Sequence, residues 1–159
     1  MKKNFVKIRE AEKTDLKELQ SLYQSTIDAA CGNDYTAEQR EVWKSGILDK
    51  KRWTDAIQNQ YFFIAEIKST TVGFGSLKNG KYIDFLYVSK NHLRKGIANL
   101  IYMQLEKVAL NEQKLELISD VSITAKPFFE SKGFIIQQKN RVVKDGVELL
   151  NFRMTKDLT

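Results

Sequence analysis

The segment Ile83–Glu106, IDFLYVSKNHLRKGIANLIYMQLE, contains three successive patterns that decide how this chain folds. Apolar residues as far as Val88 predict a buried strand, Lys90, Arg94 and Lys95 mark a basic turn, and the apolar spacing that follows predicts a long amphipathic helix opening on Gly96 and Ala98. A helix start has unpaired backbone N–H groups and partial positive charge. Because Gly96 has no Cβ to hold a ligand away, the segment predicts a phosphate site, most simply for a diphosphate.

The diphosphate site is not one of the two common nucleotide signatures. The sequence contains no G-x-x-x-x-G-K-[ST], and no G-x-G-x-x-G opens a helix. A G-x-G does occur at Gly73-Phe74-Gly75, but it lies inside a predicted strand, where it indicates a bent or bulged strand.

The turn itself resembles a known loop. Leu93–Ala98, LRKGIA, is similar to the coenzyme A loop of the GNAT superfamily of N-acetyltransferases, whose pattern is [Q/R]-x-x-G-x-[G/A]. Leu93 departs from the first position, but that loop acts mainly through backbone N–H groups. For six residues alone, an ordinary basic helix start is the alternative. The resemblance implies that acetyl-CoA is the co-substrate, bound here by Leu93, Arg94, Lys95, Gly96, Ile97, Ala98 and Asn99.

A second block of the same family follows at the expected distance. Ser122–Phe134, SITAKPFFESKGF, resembles N-x-x-A-x-x-F-Y-x-x-x-G-F. It predicts a short helix with Thr124 as N-cap, a proline in its first turn and Gly133 in the left-handed position after its end. The resemblance implies that Phe128 packs beside the pantetheine arm of coenzyme A and that Ser122 is the polar residue near it. Two blocks in this order identify the chain as a GNAT member.

Composition sets the remaining bounds. The 159 residues, 42% hydrophobic and 29% charged, suit a single acetyltransferase domain over 1–159. The net charge is +6, but the basic residues are spread along the chain with acidic residues between them. This favours binding of a phosphate-rich cofactor over binding of nucleic acid. The single cysteine excludes an intramolecular disulfide, and neither a signal peptide nor a membrane-length apolar run is visible. We expect a cytoplasmic monomer or homodimer, without nucleic-acid or membrane partners.

The order of elements predicts the fold class. Helices are predicted from Thr14 to about Ala30, after the Thr36-x-x-Gln39 capping-box spacing, at 50–57, at 95–111 and within Ser122–Phe134. Strands are predicted at 5–9, 61–68, 71–78, 81–88, 115–120, 134–138 with 141–144, and 147–154, with hairpin turns at Asn79-Gly80 and Asp145-Gly146. This is an α/β (α+β) pattern that predicts a mixed, mostly antiparallel seven-stranded sheet with helices on both faces.

The GNAT resemblance adds a separation between two neighbouring parallel strands, here 81–88 and 115–120. It implies that the pantetheine arm enters this gap and pairs with free backbone groups near Leu86 and Val88.

Three segments resemble a narrower bacterial group of small-molecule N-acetyltransferases: Asp34–Gln39 with Trp43, Ile83–Val88, and Ala125–Phe129. The resemblance implies that the acceptor pocket is walled by Tyr35, Gln39, Trp43 and Trp53. For the two tryptophans, core packing is an equally weighted alternative. We expect Cys31 to be a small buried apolar residue and His92 to be a solvated surface residue. Because His92 is an isolated histidine, no metal site is expected.

Direct attack of an amine on the thioester requires a polarised carbonyl and a base. We expect the backbone N–H of Val88 to polarise the carbonyl. Asp84 is the first candidate for the base, because strand alternation places a residue four positions before Val88 on the same face. A structural aspartate paired with an arginine or with the turn is the alternative.

The general acid stays unassigned. Phe129 occupies the position where the family usually has a tyrosine, and a phenyl ring has no proton to donate. Tyr87 points to the opposite face from Val88 by alternation, and Ser122 is a weak acid. The sequence therefore predicts an N-acetyltransferase acting on a small amine. Its alternatives are a non-catalytic acyl-CoA-binding regulatory module, a protein N-acetyltransferase and a nucleic-acid binder.

Overall fold

The computed structural model describes residues 5–159. Its helices are α1 (Leu16–Ala30), α2 (Ala37–Lys44), α3 (Lys50–Asn59), α4 (Ile97–Asn111) and α5 (Lys126–Ser131). Its strands are β1 (Lys7–Glu10), β2 (Tyr61–Ile67), β3 (Thr70–Lys78), β4 (Tyr82–Val88), β5 (Glu116–Ser122), β6 (Ile135–Lys144) and β7 (Val147–Asp157). Together the strands form one seven-stranded sheet in the order β1-β2-β3-β4-β5-β7-β6. Only β4 and β5 pair in parallel, so the predicted mixed, mostly antiparallel sheet is confirmed.

Two apolar cores lie on opposite faces of this sheet, as the prediction of helices on both faces requires. The core on one face joins α1 and α3 to the strands through Leu19, Ile27, Trp53, Phe62, Phe74 and Phe85. The core on the other face joins α4 to the strands through Ile97, Ile101, Leu105, Val88, Leu117 and Met154. No helix within residues 5–159 is long and apolar enough to cross a membrane.

Gly73 and Gly75 allow α4 to approach the sheet closely. A Cβ built on Gly73 would lie 2.9 Å from Ile101 Cδ1, and one on Gly75 would lie 2.6 Å from Ile101 Cγ2, closer than real Cβ contacts. Bulges do occur beside them, near Ala65 and Ser76, so the predicted irregularity is present. The main reason for glycine is nevertheless the approach of the helix.

Local signals placed some helix and turn ends correctly. Thr36 and Gln39 form the predicted capping box, with Thr36 Oγ1 accepting from the Gln39 N–H at 3.1 Å. The turn residues Asn79 and Gly80 have φ values of 55° and 73°, as their sequence predicts. The two pieces predicted at 134–138 and 141–144 are one strand, β6, with a register shift between Ile136 and Gln138.

Two predicted N-caps were wrong. A 3-10 turn over Lys13–Asp15 precedes α1, and Asp15 rather than Thr14 accepts a backbone hydrogen bond there, from the Glu12 N–H at 2.7 Å. Thr124 does not cap α5. Its hydroxyl donates instead to Asp34 Oδ2 at 2.8 Å, so a partner distant in sequence replaces the local one.

The parallel pair β4–β5 is short. Its register contains only Tyr82 with Ile118 and Ile83 with Ser119, after which the strands separate. The predicted separation of these two strands is therefore confirmed, and the open part of β4 runs from Asp84 to Val88.

Candidate active site

The loop before α4 has the backbone geometry of an anion site. Gly96 is the N-cap with a left-handed φ of 79°, Arg94 is also left-handed at 59°, and no side chain caps the helix. The first bond within the helix runs from the Leu100 N–H to the Gly96 carbonyl, at 3.1 Å. The preceding N–H groups thus have no helical partner. Since a Cβ on Gly96 would meet no atom within 4 Å, the loop is an open cradle that fits a diphosphate.

Charge is concentrated around this cradle. Arg94 and Lys95 are exposed beside it, and Leu93 is 38% exposed, so its departure from the family pattern leaves the backbone accessible. Ile97 is 2% exposed, which makes it the residue that anchors the loop in the core. The structure adds Lys132, at the end of α5, whose ammonium donates to Asn99 Oδ1. Sequence reasoning missed Lys132 because no local pattern connects the end of α5 to the start of α4.

The open part of β4 directs backbone groups into the gap. The Ser89 N–H donates to the Val72 carbonyl at 2.8 Å, so Val72 and Ser89 form a hydrogen-bonded pair between β3 and the end of β4. Bonded and non-bonded pairs alternate in an antiparallel ladder, so Val88 and Leu86 point their N–H and C=O groups away from β3, toward β5. The Val88 carbonyl accepts a buried bond of 2.7 Å from Thr26 Oγ1 in α1, a contact that the sequence did not predict.

The other side of the gap is formed by the end of β5 and by α5. Ser122 Oγ accepts from the Ala125 N–H at 3.0 Å, which anchors the turn into α5. Phe128 is half-buried, and its ring meets Tyr102 edge-on at 6.1 Å. Phe129 is 3% exposed and packs against Phe134 at 5.0 Å, so this position belongs to the core.

Tyr35 and Gln39 connect the region after α1 to β7. The Tyr35 hydroxyl donates to the Leu150 carbonyl at 2.6 Å and accepts from the Ile123 N–H at 2.9 Å. Gln39 Nε2 donates to the Glu148 carbonyl at 2.8 Å. These bonds tie α2 and the loop before it to β7 and to the turn after β5.

The two tryptophans occupy different environments. The half-buried Trp43 meets the Tyr35 ring at 5.2 Å and packs against the core beneath α1 and α3. Trp53 is fully buried, packs against Tyr23 and Phe85 at 5.1 and 4.7 Å, and donates from Nε1 to a backbone carbonyl. The expectation that Trp53 walls the acceptor pocket was therefore wrong, because a side chain without accessible surface contributes to the core alone.

Asp84 lies at a bulge in β4. Leu77 of β3 is opposite Ile83 and Ser76 is opposite Phe85, so Asp84 is the extra residue of β4. An extra residue interrupts the alternation of side chains along a strand. The spacing of four residues to the end of β4 therefore does not preserve the face.

The bulge changes the interpretation of Asp84. Its carboxylate accepts from Arg52 Nη2 at 3.2 Å and from Gln60 Nε2 at 2.8 Å, on the side of the sheet that α3 covers. The expectation that Asp84 shares the face of Val88 was wrong. The alternative of an aspartate paired with an arginine describes what the structure contains.

Four other reactive side chains are Cys31, Tyr35, Tyr87 and His92, and none is placed for nucleophilic chemistry. Burial raises the pKa of the Cys31 thiol, so the reactive thiolate is disfavoured. Burial also raises the pKa of the Tyr35 hydroxyl and, by more, of Tyr87, so both remain protonated at neutral pH.

His92 was expected to be solvated, but its ring is partly buried and Nδ1 has no hydrogen-bond partner among the described residues. Over 5–159, no group of three or more His, Cys, Asp and Glu residues is arranged to hold a metal ion.

Comparisons with known proteins agree with this geometry. The model of the family described as "Acetyltransferase (GNAT) domain" matches residues 31–156. The Uncharacterized N-acetyltransferase YafP of Escherichia coli K12 is 31% identical over 151 residues, covering 95% of each chain. A crystal structure from Rhodopseudomonas palustris, described as a GCN5-related N-acetyltransferase and as a class-II aminotransferase, is 31% identical with a TM-score of 0.92, covering 96% of this chain and 95% of that one.

A more distant structure shares the fold alone. The PaiA N-acetyltransferase of Thermoplasma acidophilum, solved in complex with coenzyme A, is 21% identical with a TM-score of 0.79, covering 96% of this chain and 99% of that one. The fold and the site define a class of enzyme, the acyl-group transferases with an open helix start beside a separated parallel strand pair. The chain belongs to the GNAT family and is an N-acetyltransferase.

Proposed function

We propose that this enzyme takes its acetyl group from acetyl-CoA and transfers it to an amine of a small molecule within a ternary complex. The observation that carries the proposal is the continuity of two features: the open backbone of β4, ending at Val88, leads directly into the cradle at Gly96. The diphosphate of coenzyme A and its pantetheine arm need adjacent sites of these two kinds. The complex of the related PaiA fold with coenzyme A supports this use of the fold.

Acetyl-CoA supplies a thioester that an amine can attack without a metal. The Val88 N–H, which points away from β3, is a donor for the thioester carbonyl. The Thr26 hydroxyl donates to the Val88 carbonyl at 2.7 Å and so holds that part of β4 in place. Phe129 has no hydroxyl, so the departing sulfur leaves as a thiolate. The proton lost by the attacking amine then passes to water or, through water, to that thiolate.

The acceptor side favours a small molecule over an extended peptide. The bonds from Tyr35 to Leu150 and from Gln39 to Glu148 join α2 and its preceding loop to β7. An extended peptide bound on this side would have to pass a segment that these two bonds hold in place. Trp43, half-buried beside Tyr35, is the aromatic ring that we propose for contact with a flat or cationic amine. The segments that resemble the small-molecule subgroup support the same choice.

The cofactor part of the proposal is tested with two matched glycine variants. Gly96 and Gly146 are both left-handed, at 79° and 74°, and a Cβ on either would meet no atom within 4 Å. Alanine at each therefore introduces similar backbone strain, about 1–2 kcal/mol. We expect Gly96→Ala to raise the Kd for acetyl-CoA about tenfold in calorimetric titration, and Gly146→Ala to leave it unchanged, because only one of the two glycines lies at the helix start. Equal Kd values for both variants, or no binding by the wild type, would remove the basis for acetyl-CoA.

The acceptor part requires a thiol-release assay with small amines and, in parallel, with lysine-containing peptides. We expect turnover with small amines. Turnover with peptides alone would make the enzyme a protein N-acetyltransferase instead.

The Asp84→Asn variant tests whether Asp84 is the catalytic base. Both carboxylate oxygens are already engaged by Arg52 and Gln60, so we expect the acid-side dependence of kcat/KM to persist in the variant. Loss of that dependence would identify Asp84 as the base. Arg52→Gln is the control, since it breaks the same ion pair and keeps the carboxylate.

A further inference from the structure

A single carboxylate joins four strands next to the point where β4 and β5 separate. Asp120 of β5 accepts from the Tyr82 hydroxyl of β4 at 2.7 Å and from Arg153 of β7 through Nε and Nη2 at 2.9 and 2.8 Å. It also accepts from Asn140 Nδ2 of β6 at 2.9 Å. Two oxygens thus receive four hydrogen bonds, which nearly fills the capacity of a carboxylate.

A second bond lies at the same level of the sheet. Ser119 Oγ, in a residue that is 4% exposed, donates to the Ile83 carbonyl at 2.9 Å. Ile83 is the last residue of β4 that pairs with β5. By strand alternation, Ser119 lies on the face of α4 with Leu117, whereas Asp120 lies on the opposite face. The end of the paired region is therefore held from both faces.

These side-chain bonds matter because the backbone contributes so little here. The two register positions of β4 and β5 are the whole ladder between the half-sheet β1–β4 and the half-sheet β5–β7. A ligand in the gap would lie directly beyond the end of this ladder. The side chains that cross it determine how far the opening extends toward Tyr82.

We propose that Asp120 is a positioning residue: through Tyr82 it fixes the point at which β4 and β5 separate, and so sets the width of the gap for the pantetheine arm. This rests on the proposed function, in which that arm enters the gap. The cradle at Gly96 lies at the far end of β4 and does not depend on the Asp120 contacts. Weakening them should reduce the contribution of the pantetheine arm to binding while leaving the contribution of the diphosphate intact.

The test compares Tyr82→Phe with Tyr61→Phe. Both changes remove a hydroxyl that donates to a carboxylate, but Tyr61 bonds Glu112 at the other end of α4. We expect Tyr82→Phe to raise the Kd for coenzyme A about tenfold in calorimetric titration, the size of one charge-assisted hydrogen bond. The Kd for ADP, which has the diphosphate and no pantetheine arm, should change less than about twofold. Tyr61→Phe should change neither, and Asp120→Asn should act in the same direction as Tyr82→Phe.

Two results would overturn the inference. One is an equal loss of coenzyme A and ADP affinity in Tyr82→Phe, which would indicate a general loss of structure; the other is unchanged coenzyme A affinity. Amide hydrogen exchange decides the matter without a ligand. The Ile118 N–H, which donates to the Lys81 carbonyl at 2.9 Å beside the ladder, should exchange about tenfold faster in Tyr82→Phe than in Tyr61→Phe. If the wild type fails to bind coenzyme A, the proposed function fails, and unchanged exchange at Ile118 would still refute the inference separately.

Discussion

Strand β3 buries seven of its nine residues, whereas β6 exposes nine of its ten. The half-sheet β1–β4 is covered by helices on both faces and is held mainly by apolar packing. The half-sheet β5–β7 carries a polar cluster around Asp120 on one of its faces and meets its neighbour through the short β4–β5 ladder. The proposed active site lies where these two halves separate. Because the halves are stabilised differently, we expect substitutions in them to change the free energy of unfolding by different amounts.

The largest difference in the free energy of unfolding is expected when one phenylalanine in each half is replaced by alanine. Phe74→Ala in β3 removes a side chain with no exposed surface, and we expect a loss of about 3–5 kcal/mol in the free energy of unfolding. Phe152→Ala in β7 removes a half-buried ring, and the loss should be less than half as large. Urea denaturation of both variants measures this. Equal losses would mean that the two halves are stabilised alike.

Adding volume to the packed half should have the next largest effect. Gly75→Ala places a methyl group 2.6 Å from Ile101 Cγ2, so α4 must shift, at a cost of about 1–3 kcal/mol. Gly32→Ala is the control, because its nearest neighbour is an Arg40 side-chain atom at an ordinary 3.5 Å. Combining Gly75→Ala with Ile101→Ala should recover part of the loss. A double variant whose loss is the full sum of the two would exclude the contact as the cause.

The half-sheet β5–β7 should lose stability when a single hydroxyl that bonds to it is removed. Tyr35→Phe leaves the Leu150 carbonyl and the Ile123 N–H without their partner, and we expect a loss of about 1–2 kcal/mol in unfolding free energy. Tyr61→Phe, at an exposed position, should change it by less than about 0.5 kcal/mol. Thermal unfolding of both variants compares them. A similar small loss in both would show that the bonds of Tyr35 are dispensable.

The smallest expected effect depends on pH. The Arg153 guanidinium, together with the Tyr82 hydroxyl, lowers the pKa of Asp120 below its usual range. A group whose pKa is lowered by folding stabilises the fold above its unfolded pKa of about 4, and this contribution disappears as the pH falls through the folded value. Asp120→Asn should therefore be about 1 kcal/mol less stable than the wild type at pH 7, with the difference narrowing below about pH 4. Chemical denaturation at several pH values tests this, and a constant difference would contradict it.

Much of the fold was predictable because its signals are local. The capping box at Thr36 and Gln39, the turn at Asn79-Gly80 and the left-handed glycine at 133 each depend on a few neighbouring residues. The structure confirmed all three. The mixed, mostly antiparallel sheet followed from the order of elements, and the separated parallel pair followed from the family resemblance.

What the sequence could not predict are contacts between distant residues. Asp120 and Arg153 are 33 positions apart, and Thr124 and Asp34 are 90 apart, so no spacing rule connects them. The bulge at Asp84 is a further case. One inserted residue reverses the face of a side chain, and periodicity alone carries no sign of it.

Gly73 and Gly75 have a consequence for the substrate site that lies beyond packing. They set the distance between α4 and the sheet, and the first N–H groups of α4 form the anion cradle. The height of this proposed site above the β4 backbone thus depends on two residues of β3 that lie outside it. A larger side chain at either glycine would therefore displace the proposed diphosphate site relative to the backbone of β4.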